Sequence, residues 1–324
     1  MRNVPGYLDL MERGLLEHRV EELTSMLRNC RLCRRECGVD RTRGERGWCG
    51  AGGVMEVSST CVHRGEEPVL MGDAGVGNVF LARCTMHCVY CQNHSISQPG
   101  PGRRPEWGMT PQELAMRLLE FQKSGCPTAG FVTPTHYAPI VFQAVALAAS
   151  RGFRLPVIYN TGTYDSMDLL GLLDGLVDIY LPDMKYSDPV PGEEYSEAPG
   201  YPAFSREAVL EMHRQVGDLA VDEHGTAFRG LLIRLLVLPG GVSGTEDTLR
   251  FIARELGTGT FVSLMSQYYP THMAGSHPPL DRRLRPGEYR RAEDLLVELG
   301  FENGWVQDPV DSPDTCLPGI DFSL

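Results

Sequence analysis

Apolar residues along this chain recur first at helical spacing and later in short unbroken runs. Within residues 1–27, Leu8, Met11, Leu15, Leu16 and Val20 fall at the three- and four-residue intervals of an amphipathic helix. Residues 28–77 lose that periodicity and are rich in Cys, Gly and Arg, as expected of a small module organised by metal rather than by a core. From residue 78 onward the pattern is regular again. Strand-like runs at 79–82, 129–132, 157–159, 177–181, 231–238 and 261–265 alternate with amphipathic stretches near 111–124, 139–150, 166–173, 206–216, 246–256 and 288–299. The first of those helices has a marked start, because Thr110-Pro111-Gln112-Glu113 supplies an N-cap, a proline in the first turn and the acid of a capping box.

Strands alternating with helices specify parallel βαβ units. Six of them predict an α/β fold, a partial (β/α)6 TIM-like barrel preceded by an N-terminal Cys-rich module. Trp305 lies in a further strand-like stretch near the end. The expected organisation is a helix over 1–27, a metal-binding module over 28–77 and the barrel over 78–324. Residues 186–204 are too rich in proline and acid for a core element, and are expected to fold over one barrel face.

Composition narrows the function. The net charge of −12, with 28 Arg but only two Lys (Lys123 and Lys185), argues against a large nucleic-acid footprint, which needs a positive surface. No apolar run reaches bilayer length and no basic-then-apolar leader pattern opens the chain, so no membrane partner and a cytoplasmic location are expected. Ten cysteines in such a chain point to metal binding rather than disulfides. Cys61, Cys126 and Cys316 stand alone and read as small buried hydrophobes. The other seven form two groups.

Cys84-Thr-Met-His-Cys88-Val-Tyr-Cys91 places three thiolates directly after the first barrel strand. A cube-shaped [4Fe–4S] cluster takes four ligands, so three leave one iron open to a small molecule, as a catalytic metal keeps a vacant position. Polar residues at other strand ends converge on the same mouth: Thr133, Thr135 and His136 after the second strand, Asn160 and Thr161 after the third, Asp183 and Lys185 after the fourth, Gln267 and Tyr268 after the sixth. Arg234 lies within the fifth strand. Lys185 stands out in a chain that has almost replaced Lys with Arg, since a desolvated Lys can lose its proton and an Arg cannot. In the other group, Cys30, Cys33, Cys37 and Cys49 are enough thiolates for a closed site, and zinc or an auxiliary iron–sulfur cluster fits them equally. His63, Glu66 and Glu67 are candidates to dock this module on the barrel, with surface carboxylates as the default reading of the two acids.

The Cys-x3-Cys-x-aromatic-Cys of CTMHCVYC, with Tyr90 as the aromatic residue, resembles the hallmark of the radical S-adenosylmethionine superfamily. Through CRLCRRECGVDRTRGERGWCG, HRGEEPVLMGDAG, CVYCQNHSISQ, VTPTHY, YNTGTYDS, DIYLPDMKYSD and RLLVLPGG, the chain is similar to the subgroup of pyruvate formate-lyase activating enzymes over nearly all of residues 28–300. The resemblance implies a [4Fe–4S] cluster on Cys84, Cys88 and Cys91 and reductive cleavage of S-adenosylmethionine to a 5′-deoxyadenosyl radical that abstracts hydrogen. It implies that Asn160, Thr161, Asp183 and Lys185 line the S-adenosylmethionine site and hold a monovalent cation. With Tyr90 of the motif, and with Thr133, Thr135 and Arg234 from their places on the strands, these are the expected cofactor-binding residues, and Lys185 is expected at the reacting centre. The implied partners are a glycyl radical enzyme or another protein substrate, and an electron donor such as flavodoxin or ferredoxin. A small molecule or peptide as substrate is the alternative. The Gly240–Asp247 segment resembles a loop that packs on adenine. One departure is plain: Val132-Thr133-Pro134-Thr135 stands where the superfamily has Gly-Gly-Glu.

Overall fold

The computed structural model describes residues 4–100, 102 and 104–307; Cys316 and the last part of the barrel segment expected above lie outside them. Two helices open the fold, α1 (Gly6–Glu12) and α2 (Leu16–Ser25). The single helix expected over 1–27 is broken between them, where Gly14 adopts a left-handed φ of +68° that ends a right-handed helix. After the irregular Cys-rich segment come β1 (Met55–His63), α3 (Pro68–Met71), β2 (Val76–Leu81), α4 (His94–Ser97), β3 (Gly108–Met109) and α5 (Pro111–Lys123). Strand and helix then alternate through β4 (Ala129–Val132), α6 (Ala138–Ser150), β5 (Val157–Thr161), α7 (Met167–Leu173) and β6 (Ile179–Pro182). Two consecutive helices, α8 (Pro189–Ser196) and α9 (Tyr201–Val216), lead to β7 (Ala220–Val221) and β8 (Ala227–Leu236). The chain continues through α10 (Thr245–Glu255), β9 (Phe261–Met265), α11 (Pro286–Glu298) and β10 (Gly304–Val306).

The fold is α/β, a partial TIM-like barrel. Six strands, β2, β4, β5, β6, β8 and β9, pair in parallel in that order, and β10 adds a seventh beside β9. On the other edge β1 pairs antiparallel with β2 and carries β3. The second half of the segment read as a Cys-rich module is therefore a strand of the main sheet. Its sequence, MEVSSTCVH, hid this because Ser, Ser, Thr and His interrupt the apolar alternation. The start of α5 is as expected: Thr110 Oγ1 accepts from the Glu113 backbone N–H at 3.2 Å, and Glu113 accepts from the Thr110 N–H at 2.8 Å.

Side-chain alternation along the parallel strands decides what reaches the interior. Val79, Phe131, Tyr159, Tyr180, Ile233 and Val262 point outward and form the main core with the helices, including Tyr7, Leu16 and Leu23 from α1 and α2. Leu70, Val76, Ile158, Ile179, Leu181 and Leu232 point inward and plug the floor. Asn78 fills the next layer so tightly that a Cβ on Gly130 would stand 2.2 Å from its amide oxygen, which is why the neighbouring strand carries glycine there. Above that layer, the same inward register presents Phe80, Val132, Asn160, Arg234, Leu236 and Met265 to a cavity at the C-terminal mouth.

Candidate active site at the barrel mouth

Cys84, Cys88 and Cys91 all line this cavity, whose volume is about 200 Å³. The loop that carries them leaves β2 through Arg83, a non-glycine residue at φ +72°. Arg83 is held in place by its backbone N–H on the Ile96 carbonyl at 2.8 Å and its Nε on Glu56 at 2.7 Å. Thr133 (φ +56°) and Thr163 (φ +60°) turn in the same way just past β4 and β5. Such conformations are costly outside glycine and gather where a site requires them.

Each thiol has a donor close by. Cys88 Sγ accepts from Ser196 Oγ at 2.9 Å, Cys84 Sγ from the Met86 N–H at 3.4 Å, and Cys91 Sγ lies 3.2 Å from Ser97 Oγ. Burial pushes the pKa of Cys91 up to about 11 and those of Cys84 and Cys88 upward as well. Thiols so placed become thiolates when a metal takes up their charge. Among the described residues, no three or more His, Cys, Asp or Glu side chains gather closely enough to hold one metal ion. A cluster whose ligands sit on different irons does not require that convergence. Three sulfur donors around one cavity, each with a hydrogen bond, fit an iron–sulfur cluster.

Asp183 and Lys185 reach the cavity from just past β6, with Lys185 Nζ on Asp183 Oδ2 at 2.8 Å. Burial alone would lower the Lys185 pKa, but the Asp183 carboxylate and Cys88 raise it above the ordinary value. Lys185 therefore stays protonated, contrary to the expectation that desolvation frees it to lose its proton. Gly162 supplies part of the same wall, where a side chain would press on Met86 Sδ at 3.1 Å. Asn160 and Thr133 also line the cavity, as do Gln267 and Tyr90. The Tyr90 ring is buried edge-on against Tyr186 and Tyr268, with centroids 6.5 and 6.0 Å away.

Thr135 and Thr161 do not reach the cavity. Both turn to a buried carboxylate that the sequence reading passed over, Asp165: Thr135 Oγ1 donates to it at 2.8 Å, Thr161 Oγ1 at 2.5 Å and Tyr159 OH at 2.8 Å. Hydroxyls after a strand look alike in sequence whether they face a cavity or a buried acid. His136 lies behind the site too, its Nε2 bonded to the Ala82 carbonyl at 2.8 Å; burial pushes its pKa down to about 3.

Arg234 lines the cavity with its guanidinium already engaged. Its Nε and Nη2 contact Glu67 Oε1 and Oε2 at 2.7 and 2.6 Å, and Nη2 also bonds Glu66. The two carboxylates read as surface groups are thus inside the barrel, their side chains 8% and 6% exposed. The signal that could have found them is Arg234 itself, an inward charge in mid-strand that needs a partner.

Residues 186–204 fold over the Cys loop, as expected, but as helix. Asp188 caps α8, accepting from the Val190 N–H at 2.8 Å, with Pro189 in the first turn. Tyr186, Tyr195, Ala198 and Tyr201 bury themselves against Cys88, Val89 and Tyr90. Carbonyls of Tyr195 and Ser196 accept from the Val89 and His87 N–H groups at 2.9 and 3.2 Å. The Gly240–Asp247 loop, by contrast, lines a separate hollow that shares no residue with the thiol cavity.

The other cysteines sit beside the mouth. Cys30 and Cys33 are buried and Cys37 is exposed. Burial raises the pKa of Cys33 first, and the charges of Cys49, Cys30 and Cys37 raise it further, so the four thiols share one neighbourhood. Trp48, next to Cys49, stacks on His87, next to Cys88, with ring centroids 3.8 Å apart. Arg35 Cζ lies 3.4 Å from the Trp48 ring centroid.

No family model matches the chain. It is 28% identical over 303 residues to the uncharacterized protein MJ0674 of Methanocaldococcus jannaschii, spanning 91% of this chain and 82% of that one. It is 26% identical over 155 residues to the uncharacterized protein MJ0808 of the same organism, spanning 43% and 45%. Among solved structures it is similar to the maturase HydG of the [FeFe]-hydrogenase (TM-score 0.47, 10% identity, 75% of this chain and 55% of that one). It is also similar to TYW1 with a lysine-pyruvate adduct bound (TM-score 0.43, 10% identity, 72% and 77%) and to anSMEcpe with bound AdoMet and a peptide (TM-score 0.41, 11% identity, 67% and 56%). At such scores no residue role is carried over from them. Among the described residues no helix is long and apolar enough to cross a membrane.

Proposed function

We propose that this chain is a radical S-adenosylmethionine enzyme whose [4Fe–4S] cluster is held by Cys84, Cys88 and Cys91. The observation that carries the reading is the three-thiol cavity itself: three cysteines, each with a hydrogen-bond donor, open onto a space walled by Asp183, Lys185 and Asn160. When bound, the cluster supplies one electron to S-adenosylmethionine, giving methionine and a 5′-deoxyadenosyl radical that takes a hydrogen atom from the substrate. The chain's own residues bind and shield. Lys185, kept cationic beside Asp183, offers a positive charge to a carboxylate. Asp183, with Asn160 and Thr133, offers acceptors to an ammonium group. Tyr90, Met86 and Leu236 exclude water from a space where a radical must not be quenched.

A small molecule or short peptide is the substrate class we favour. The α8–α9 segment covers the Cys loop and the Glu66–Glu67 loop occupies the barrel interior, which leaves little width for a protein loop. Activation of a glycyl radical enzyme is the second reading, supported by the motif resemblance. Incubating reconstituted protein with deuterated candidates and following deuterium into 5′-deoxyadenosine tests the pair. Label from a small molecule supports the first. Label arriving only from a glycine of a protein partner overturns it.

A further inference from the structure

A second cavity of about 260 Å³ lies beside the thiol cavity. Glu66, Arg234, Met265 and Gln267 line both, so a ligand in one touches the wall of the other. Its further lining includes His63, Glu67 and Ser263, with Pro68 and Trp305 as apolar neighbours. The volume suits a small metabolite rather than a chain.

Two buried carboxylates, Glu66 and Glu67, share one guanidinium, that of Arg234. Arg234 meets both through Nε and Nη2, its Nε–Nη2 edge lying on Glu67 and Nη2 also bonding Glu66. Asp183 and Lys185 neutralise each other nearby. A cation beside Glu66 would match the second carboxylate in a space where an uncompensated charge is expensive.

His63 marks where such a cation would sit. The residue is 9% exposed, it lines the cavity, and its buried Nε2 has no hydrogen-bond partner. That nitrogen lies 3.9 Å from Glu66 Oε1, too far for a direct hydrogen bond and the right span for one donor nitrogen placed between them. Glu66 Oε1 also accepts from Asn78 Nδ2 at 2.8 Å, which fixes it in position. Gly65 closes over the imidazole, where a Cβ would stand 3.1 Å from Nε2.

We infer that this cavity binds a small primary amine, its ammonium between Glu66 and His63 and its apolar body along Met265 and Trp305. That the amine is the substrate rests on the radical reading above; that it binds does not.

Binding of 2-phenylethylamine, 2-phenylethanol and 3-phenylpropanoate to the anaerobically reconstituted protein, followed by calorimetry, tests the inference. The amine should bind about tenfold or more tightly than the alcohol, and the carboxylate weakest, because a charge-assisted hydrogen bond is at stake. His63→Leu should weaken the amine about tenfold with circular dichroism unchanged, and Glu66→Gln should abolish the preference over the alcohol. Should Glu66→Gln fail to fold, His63→Leu decides alone. Equal affinity for amine and alcohol, no amine binding, or an amine affinity unmoved by His63→Leu overturns the proposal. So does binding of sodium or potassium ions in place of the amine. Measuring 5′-deoxyadenosine on the same preparation separates the claims: cleavage without amine binding sinks this inference alone, and amine binding without cleavage sinks the radical reading alone.

Discussion

The two cysteine groups look alike in sequence and differ in what surrounds them. Cys84, Cys88 and Cys91 ring a cavity that also holds an ion pair and polar strand ends. Cys30, Cys33, Cys37 and Cys49 lie on an irregular segment outside the barrel, with Cys37 exposed and Arg41 close to Cys49. Three ligands facing a space make a place for chemistry, whereas four ligands on one metal centre make a closed one. Trp48 and His87 join the two through a stacked contact. Four thiolates offer a closed site to zinc and to a second iron–sulfur cluster alike, and the two are told apart by the metal bound.

The sharpest way to break this contrast is to remove one group at a time. A Cys84/Cys88/Cys91→Ala triple variant should lose the barrel cluster's iron and sulfide and keep the metal of the other group, whether zinc or iron with sulfide, by metal analysis and absorption spectroscopy. Zinc in the remaining site would make it a staple, and no metal with residues 28–54 still ordered would remove it as a metal site. Cys33→Ala should show the reverse, with the barrel cluster still assembling. Metal binding is coupled to folding, so in that variant proteolysis should open residues 28–54 first.

A smaller effect is expected at the cavity wall. Asp183→Ala leaves Lys185 without its partner and should weaken S-adenosylmethionine binding by about tenfold to a hundredfold, since charged hydrogen bonds carry about 1.5–3 kcal/mol. Equilibrium dialysis on protein with its cluster intact checks this. Wild-type affinity would return Asp183 to a structural role.

Smaller still is a pH effect from behind the site. His136 is neutral when folded, its pKa pushed down to about 3 by burial. Its contribution to stability is full above the ordinary value of about 6.5 and is lost as pH falls from there towards 3, because the unfolded chain takes up a proton the folded one refuses. Denaturant unfolding between pH 6.5 and 4.5 should show a loss in wild type that His136→Gln reduces by about 1.4 kcal/mol per pH unit. An unchanged slope would show that the imidazole is not held neutral.

Much of this could be read before any coordinates, for reasons that are physical. Parallel strands buried on both faces leave near-continuous apolar runs, so β4, β5, β6, β8 and β9 were legible, and so was the helix capped by Thr110. The Cys loop was legible because its spacing is chemical rather than conformational. What escaped depends on partners far apart in sequence. Glu66 and Glu67 pair with Arg234 across 168 and 167 residues, and nothing local distinguishes them from surface acids. Thr135 and Thr161 were misjudged because Asp165, their common partner, gives no sign of being buried. Helix α8 was hidden by two prolines and a glycine, which the burial of its Tyr195 in the cluster around Cys88 outweighs.

The central claim is that the three-thiol cavity holds a cluster able to cleave S-adenosylmethionine. The most direct test is to reconstitute the full chain anaerobically with iron and sulfide, reduce it, add S-adenosylmethionine and measure 5′-deoxyadenosine and methionine against a Cys88→Ala variant. The account predicts equal amounts of both products from the wild type and none from the variant. Turnover that survives in Cys88→Ala, or a fully loaded and reduced wild-type protein that forms no 5′-deoxyadenosine, would contradict it.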